Sequence, residues 1–227
     1  MRGLMALSLI TVACASGSAK SGPTYFTPER VATARENVEK YEWAVGQQAR
    51  IIEHGDRIRY YIGPLYVSAR TFAAQSDEFL WLLQPTTEIP RTYDVGAYPR
   101  AMCPVHGAEV KKYGTFNPWS IDPIGHPYQL RCPVGGEWYP SNRYDLGDMT
   151  SGHFPDDGSG CMYQGQRYHF LIEYAHMVYG SVVVPALKSF SEAYQLTGDR
   201  LYAHKGCILM ARLATQYPNY GWEGTDF

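Results

Sequence analysis

The middle of this chain, from Pro85 to about Gly165, has no helical period, whereas the segments on either side of it do. Gly, Pro, Asn, Asp and Tyr dominate that middle, and most of these residue types end helices and make turns. So long an irregular stretch inside a folded unit is uncommon, and is usually functional or cross-linked. Any fold must therefore join two helical flanks through a centre that obeys other rules. Within it, Tyr128-Gln129-Leu130-Arg131 alternates in the manner of a short hairpin strand, and His153 to Gly160 (HFPDDGSG) reads as a surface loop.

Two pentapeptides punctuate the centre: Cys103-Pro-Val-His-Gly107 and Cys132-Pro-Val-Gly-Gly136. Each looks like one knuckle of a zinc ribbon, CPxCG, whose second cysteine has been replaced. Glycine after the Pro-Val pair suits a tight turn. A closed structural zinc site needs four ligands. Cys103, His106 and Cys132 supply three, and position 135 is glycine. His126, Cys161 or Asp122 would have to supply the fourth. A Cys103–Cys132 disulfide is the reading preferred over metal in an oxidising compartment. Two free thiols in a turn framework are the third alternative.

The flanks read as helices. Thr27-Pro28-Glu29 combines an N-cap hydroxyl, proline at the first helical position and an acid in the first turn. Val31, Ala34, Val38, Tyr41, Val45, Ala49 and Ile52 then recur at helical spacing, predicting one helix from Pro28 to about His54. Asp56 would cap a short second helix, and QSDEFLWLL a third that stops near Pro85. After Gly165, RYHFLIEYAHMVY predicts a helix ending near Gly180, and another begins between Ser181 and Pro185. Its Val183, Leu187, Phe190 and Tyr194 share a face. Gly198 suits a left-handed C-terminal cap and Asp199 the next N-cap, so a tight helical hairpin follows, with Leu201, Ile208 and Ala211 turned inward.

The start, MRGLMALSLITVACASGSAK, places Arg2 before a short apolar run and a small-residue site at Ala13-Cys14-Ala15. This predicts a signal peptide over 1–19 and an exported, periplasmic or extracellular protein. Acylation at Cys14 would make it a lipoprotein. No later segment reads as a membrane span. Once the signal is removed, Cys103, Cys132, Cys161 and Cys207 remain. Charged residues are 19% of the chain and the formal net charge is -2, which argues against disorder and against a nucleic-acid partner.

Seven histidines invite a catalytic reading, but no Ser-His-Asp order, GxSxG turn, phosphate loop or HExxH appears. His169 and His176 share a helix face with apolar neighbours, which favours packing. His153 beside Asp156 and Asp157 reads as a solvated loop histidine, and His204 as exposed. The acid pairs Asp156/Asp157 and Asp145/Asp148 are weak signals for hydrolysis.

IPRTYDV, CPVHG, NPWSIDPIGHPYQLRCPVGGEWYPSN and AYQLTGDRLYAHKGCILMARLATQYP together resemble the amino-terminal part of heparinase II/III-like polysaccharide lyases and oligoalginate lyases. The resemblance covers most of the chain beyond Tyr25. The helical hairpin is its general part and the CP–G and YPSN region its narrow part. It implies a mainly α fold: an incomplete α/α toroid of helical hairpins over 23–227, with an irregular Gly/Pro/Tyr-rich insertion at 85–165, helices at 166–217, and the β-sheet domains of complete members lacking. It implies β-elimination of a uronic-acid polysaccharide, heparan-like or alginate-like. Such chemistry needs a group to offset the uronate carboxylate, a base for the C5 proton and an acid for the leaving oxygen. The family's Asn-His signature follows the hairpin and has no counterpart before Phe227. No catalytic residue is therefore carried over, and the chain is expected to be the inactive amino-terminal part of a longer protein. Trp119, Trp138, Tyr139 and Asn142 are the candidate sugar contacts; pinning the loop to the helices is their other reading. No cofactor is implied beyond a structural zinc. Other classes remain open: a glycoside hydrolase of the same architecture, or a non-catalytic exported glycan-binding protein.

Overall fold

Thr27 opens the first helix as its residue type dictates: its hydroxyl accepts the Arg30 N–H, and Pro28 takes the first helical position. The computed structural model describes residues 22–54, 56–57, 66–84, 102–114 and 118–219. The signal segment, the IPRTYDV motif and the last eight residues fall outside the described residues.

The single helix expected from Pro28 to His54 is divided. Helix α1, Pro28–Lys40, ends at Tyr41, whose backbone is extended; α2, Glu42–Ala49, continues into a π-helical turn, Arg50–His54. No residue of α1 is buried, whereas Ala44 and Ile52 beyond the break are. The second helix expected after Asp56 would occupy residues 58–65, which lie outside the described residues, and Asp56 itself is in a strand. It begins β1, Asp56–Arg57, which pairs antiparallel with β2, Tyr66–Val67. Two short helices follow, α3 (Ala69–Ala73) and α4 (Asp77–Leu82), opened by the hydroxyls of Ser68 and Ser76, which accept the backbone N–H groups of Thr71 and Phe79 respectively.

The Gly/Pro-rich centre is more regular than its composition suggests. Strands β3 (Ser120–Asp122), β4 (His126–Arg131) and β5 (Trp138–Tyr139) form an antiparallel meander in which Leu130 stands opposite both Ile121 and Tyr139. A second hairpin joins β6 (Cys161–Tyr163) to β7 (Gln166–Tyr168) through Gln164 and Gly165, both at positive φ. A two-residue loop with positive φ at both positions matches the twist of its flanking strands. The loop at 153–160 is pinned rather than free. Phe154 and Asp156 are buried, and Asp156 accepts the N–H groups of Gly158 and Gly160 on one oxygen and that of Leu171 on the other. Asp156 thus ties the loop to the start of α5, Phe170–Val178, where a carboxylate is also favoured by the helix dipole.

Every residue of α5 except His176 is buried, Glu173 among them, so this helix runs through the core rather than along its edge. It does not stop at Gly180. A π-helical turn, Tyr179–Val183, carries it into α6, Val184–Thr197. Pro185 explains the turn: a helical proline lacks an N–H and clashes with the carbonyl four residues back, and a π-bulge relieves both. The continuous stretch Phe170–Thr197 is long and apolar enough to cross a bilayer, but 61% of its most apolar window is buried, as in a core helix. Gly198, left-handed at φ 73, and Asp199, accepting the Leu201 N–H, then turn the chain into α7, Arg200–Gln216. Its inward face is Tyr202, Lys205 and Leu209, one residue on from the expected Leu201, which is 46% exposed.

This arrangement corrects the expected toroid. Among the described residues, α6 and α7 form a tight helical hairpin, but α3 and α4 are too short to continue a ring of such hairpins. They pack on α6 and α7 instead, and the β4 sheet packs on α5. The irregular insertion is likewise corrected, because its strands contribute Ile121, Leu130 and Tyr139 to the same core as Phe170, Phe190 and Leu209. At the edge of this core, Lys205 Nζ donates to Asp77 Oδ1 and to the Gln75 carbonyl, both at 2.7 Å, and His204 meets the other Asp77 oxygen. The Lys205 and His204 hydrogen bonds hold the Asp77 carboxyl below its usual range.

Asp148 lies in a turn where it accepts the Ser151 hydroxyl and the N–H groups of Thr150 and Ser151. These bonds, the Ser151 hydroxyl first, lower its pKa from 3.8 to about 2. A depressed carboxyl stabilises the fold fully above its unfolded value and loses that contribution as pH falls through the folded one. Asp148→Asn is therefore expected to flatten the fall in urea midpoint between 3.8 and about 2 relative to the parent chain. An unchanged profile in that window would contradict the assignment.

Candidate metal centre

The two CP–G pentapeptides fold as matching knuckles. Cys103 and Gly107 exchange both backbone hydrogen bonds, at 3.1 and 2.8 Å. In the second knuckle the Cys132 N–H donates to the Glu137 carbonyl at 2.8 Å, and the Gly136 N–H to the Cys132 carbonyl at 2.9 Å. Gly107 and Gly136 both take positive φ, 55 and 83, which explains glycine at the fifth position of each. β4 delivers Cys132 at its end, and the turn before the 3-10 segment Ala108–Lys112 delivers Cys103 and His106.

The knuckles face one another across His106. Its Nδ1 lies 3.5 Å from Cys103 Sγ and 3.5 Å from Cys132 Sγ. One ligand atom from each of the three residues falls within 4.8 Å of the others. The cysteines are free thiols and buried, so the preferred disulfide is not formed, and the imidazole edge stands against both sulfurs. Burial raises the Cys132 thiol pKa, while the N–H groups of Gly135 and Val134 aimed at its sulfur work the other way. The other side of the ring meets a residue the sequence reading missed: His106 Nε2 is 3.7 Å from Glu137 Oε1. A Cβ at position 135 would collide with the Glu137 carboxylate and with His106 Cε1, so glycine there makes room for both. The legible signal was the acid directly after CPVGG.

None of the three residues named for a fourth ligand joins the group. His126 stacks on Trp138 at 3.9 Å and 9°, with its Nδ1 against Gln129 Oε1. Asp122 accepts the N–H groups of Ile124 and Gly125 in the β3–β4 turn. Cys161 is a buried thiol on β6, its pKa raised by that burial.

The candidate sugar contacts are corrected by burial. Trp119 and Tyr139 are 3% and 2% exposed, and Asn142 is 1% exposed. Tyr139 stacks on Phe170 at 5.0 Å, with Trp119 edge-on to both. The Asn142 amide donates to the Asp148 and Asp156 carbonyls and accepts the Asp156 N–H. All three therefore build the interior, and only Trp138, half-buried on His126, retains an accessible ring. A separate cleft of about 400 Å³ lies by α4 and the β3–β4 turn, lined by Phe79, Leu82, Tyr128 and Tyr144. It carries the carboxyls of Glu78 and Asp145 and no Lys, Arg or His among its described lining. Such a lining does not suit a uronate carboxylate.

Comparison with known proteins finds no matching family model, no similar curated protein and no similar solved structure.

Proposed function

We propose that this chain is part of an exported polysaccharide lyase that cleaves a uronic-acid-containing polysaccharide by β-elimination, in the periplasm or outside the cell. The single observation that supports the reading is the set of segments that resemble heparinase II/III-like and oligoalginate lyases. Where described, these segments furnish buried framework residues: Trp119, Ile121, Leu130, Cys132, Tyr139 and Asn142 from one, and Ala193, Tyr202 and Leu209 from the other. Elimination needs a base at the C5 proton and a group that offsets the carboxylate. We assign neither to a residue described here, because the cleft beside α4 offers acids and no cation.

One observation favours a second reading. Glu78 and Asp145 line the same cleft, as a pair of hydrolase carboxyls would. Against it, Asp145 is held by both Arg143 nitrogens in a two-point ion pair, at 2.8 and 2.5 Å. Both of its carboxylate oxygens are therefore already engaged within the chain. The secreted protein carrying this chain, incubated with heparan sulfate, alginate and other uronate polymers, is expected to raise ultraviolet absorbance from a conjugated uronate double bond with at least one of them. Saturated products released without that absorbance would move the assignment to hydrolysis.

A further inference from the structure

The geometry around His106 is that of a metal site with one corner unassigned. A tetrahedral zinc with Zn–S of about 2.3 Å and Zn–N of about 2.1 Å has a sulfur-to-nitrogen edge of roughly 3.5 Å. Both Cys Sγ to His106 Nδ1 distances are 3.5 Å. Two thiolates and an imidazole select zinc among the common divalent ions. A ligating imidazole usually gives its second N–H to a carboxylate, and Glu137 stands on that side of the ring. Position 135, where a CPxCG knuckle carries its second cysteine, has no side chain to donate. Tyr139 contributes only its hydroxyl, 3.6 Å from Cys103 Sγ, inside the buried wall. His106 and Glu137 are partly exposed and Val105 is 56% exposed, so solvent reaches the knuckles.

We propose that Cys103 Sγ, Cys132 Sγ and His106 Nδ1 hold one zinc ion, that Glu137 positions His106 through Nε2, and that Gly135 leaves the fourth corner to water or another small exchangeable ligand. Glu137 is a positioning residue here and not a ligand. The site stands apart from the lyase reading, since it follows from local geometry alone. Loading displaces a proton from each thiol, and the released protons pass to solvent.

The test uses the purified chain under reducing conditions, with zinc and then cobalt(II) as probes. One zinc per chain is expected by elemental analysis, and Cys132→Ser should abolish it. Because that variant can fail to fold, Glu137→Gln carries the argument. It should keep one zinc per chain but bind about 10–100-fold more weakly, with Glu137→Asp recovering part of the loss. The cobalt form should show thiolate charge-transfer bands, and its ligand-field bands should move when azide is added. Absence of metal from the chain as secreted, before any reductant is added, with Cys103 linked to Cys132 in its mass spectrum, would overturn the site. Cobalt bands that ignore azide in the parent chain and collapse in Glu137→Gln would overturn the open corner, by making Glu137 the fourth ligand.

Discussion

Tyr139→Ala is expected to destabilise the fold by about 3–5 kcal/mol, the range for removing a large buried aromatic. The ring is 2% exposed and sits between three others: stacked on Phe170 at 5.0 Å, edge-on to Phe154 at 5.4 Å and to Trp119 at 6.2 Å. Its loss opens a cavity where the β4–β5 pair meets the start of α5, and neither element can close it without breaking the Leu130–Tyr139 register. Tyr139→Phe keeps the ring and loses only the hydroxyl beside Cys103 Sγ, so about 1 kcal/mol is expected. Urea denaturation of the two variants measures both values. Equal and small effects would mean the ring is not the core element described here.

The second large effect belongs to Asn142. Its side chain makes three hydrogen bonds to backbone groups, two donated and one accepted, at 2.6, 3.0 and 2.8 Å. Asn142→Ala leaves the buried Asp156 N–H and two carbonyls without that partner, at a cost of about 3 kcal/mol. Asn142→Asp is isosteric yet should be no better. It replaces an NH₂ that faces two carbonyls with an oxygen that repels them, and a buried carboxylate without a cation is costly. Thermal unfolding of both variants distinguishes this clamp from a surface role, in which Asp would be tolerated and stability unchanged.

Local signals survived translation into structure where one or two residues decide the outcome. Thr27-Pro28 and Gly198-Asp199 each specify their own geometry and appear as read, and the hairpin strand expected at Tyr128 to Arg131 forms, although Tyr128, Gln129 and Leu130 are all buried rather than alternating. Signals that depend on tertiary partners did not. No proline or glycine marks the break at Tyr41, and Pro185 suits a helix start and a π-turn inside a continuous helix equally well. Asp156 looked like turn chemistry but is a buried cap for α5. Trp119, Tyr139 and Asn142 illustrate the same limit at the candidate site. Aromatic and amide side chains suit a sugar surface and a packed loop equally well, and only burial separates the two. Cys103, His106 and Cys132 were legible from spacing; Glu137 was not, because its role arises from the space that Gly135 leaves.

The lyase assignment is tested most directly by the masses of the products of a single cut. β-Elimination breaks the glycosidic bond without adding water, so the two fragments of a defined uronate oligosaccharide should sum to the mass of the substrate. Hydrolysis adds one water, and a sum larger by that amount would contradict the account.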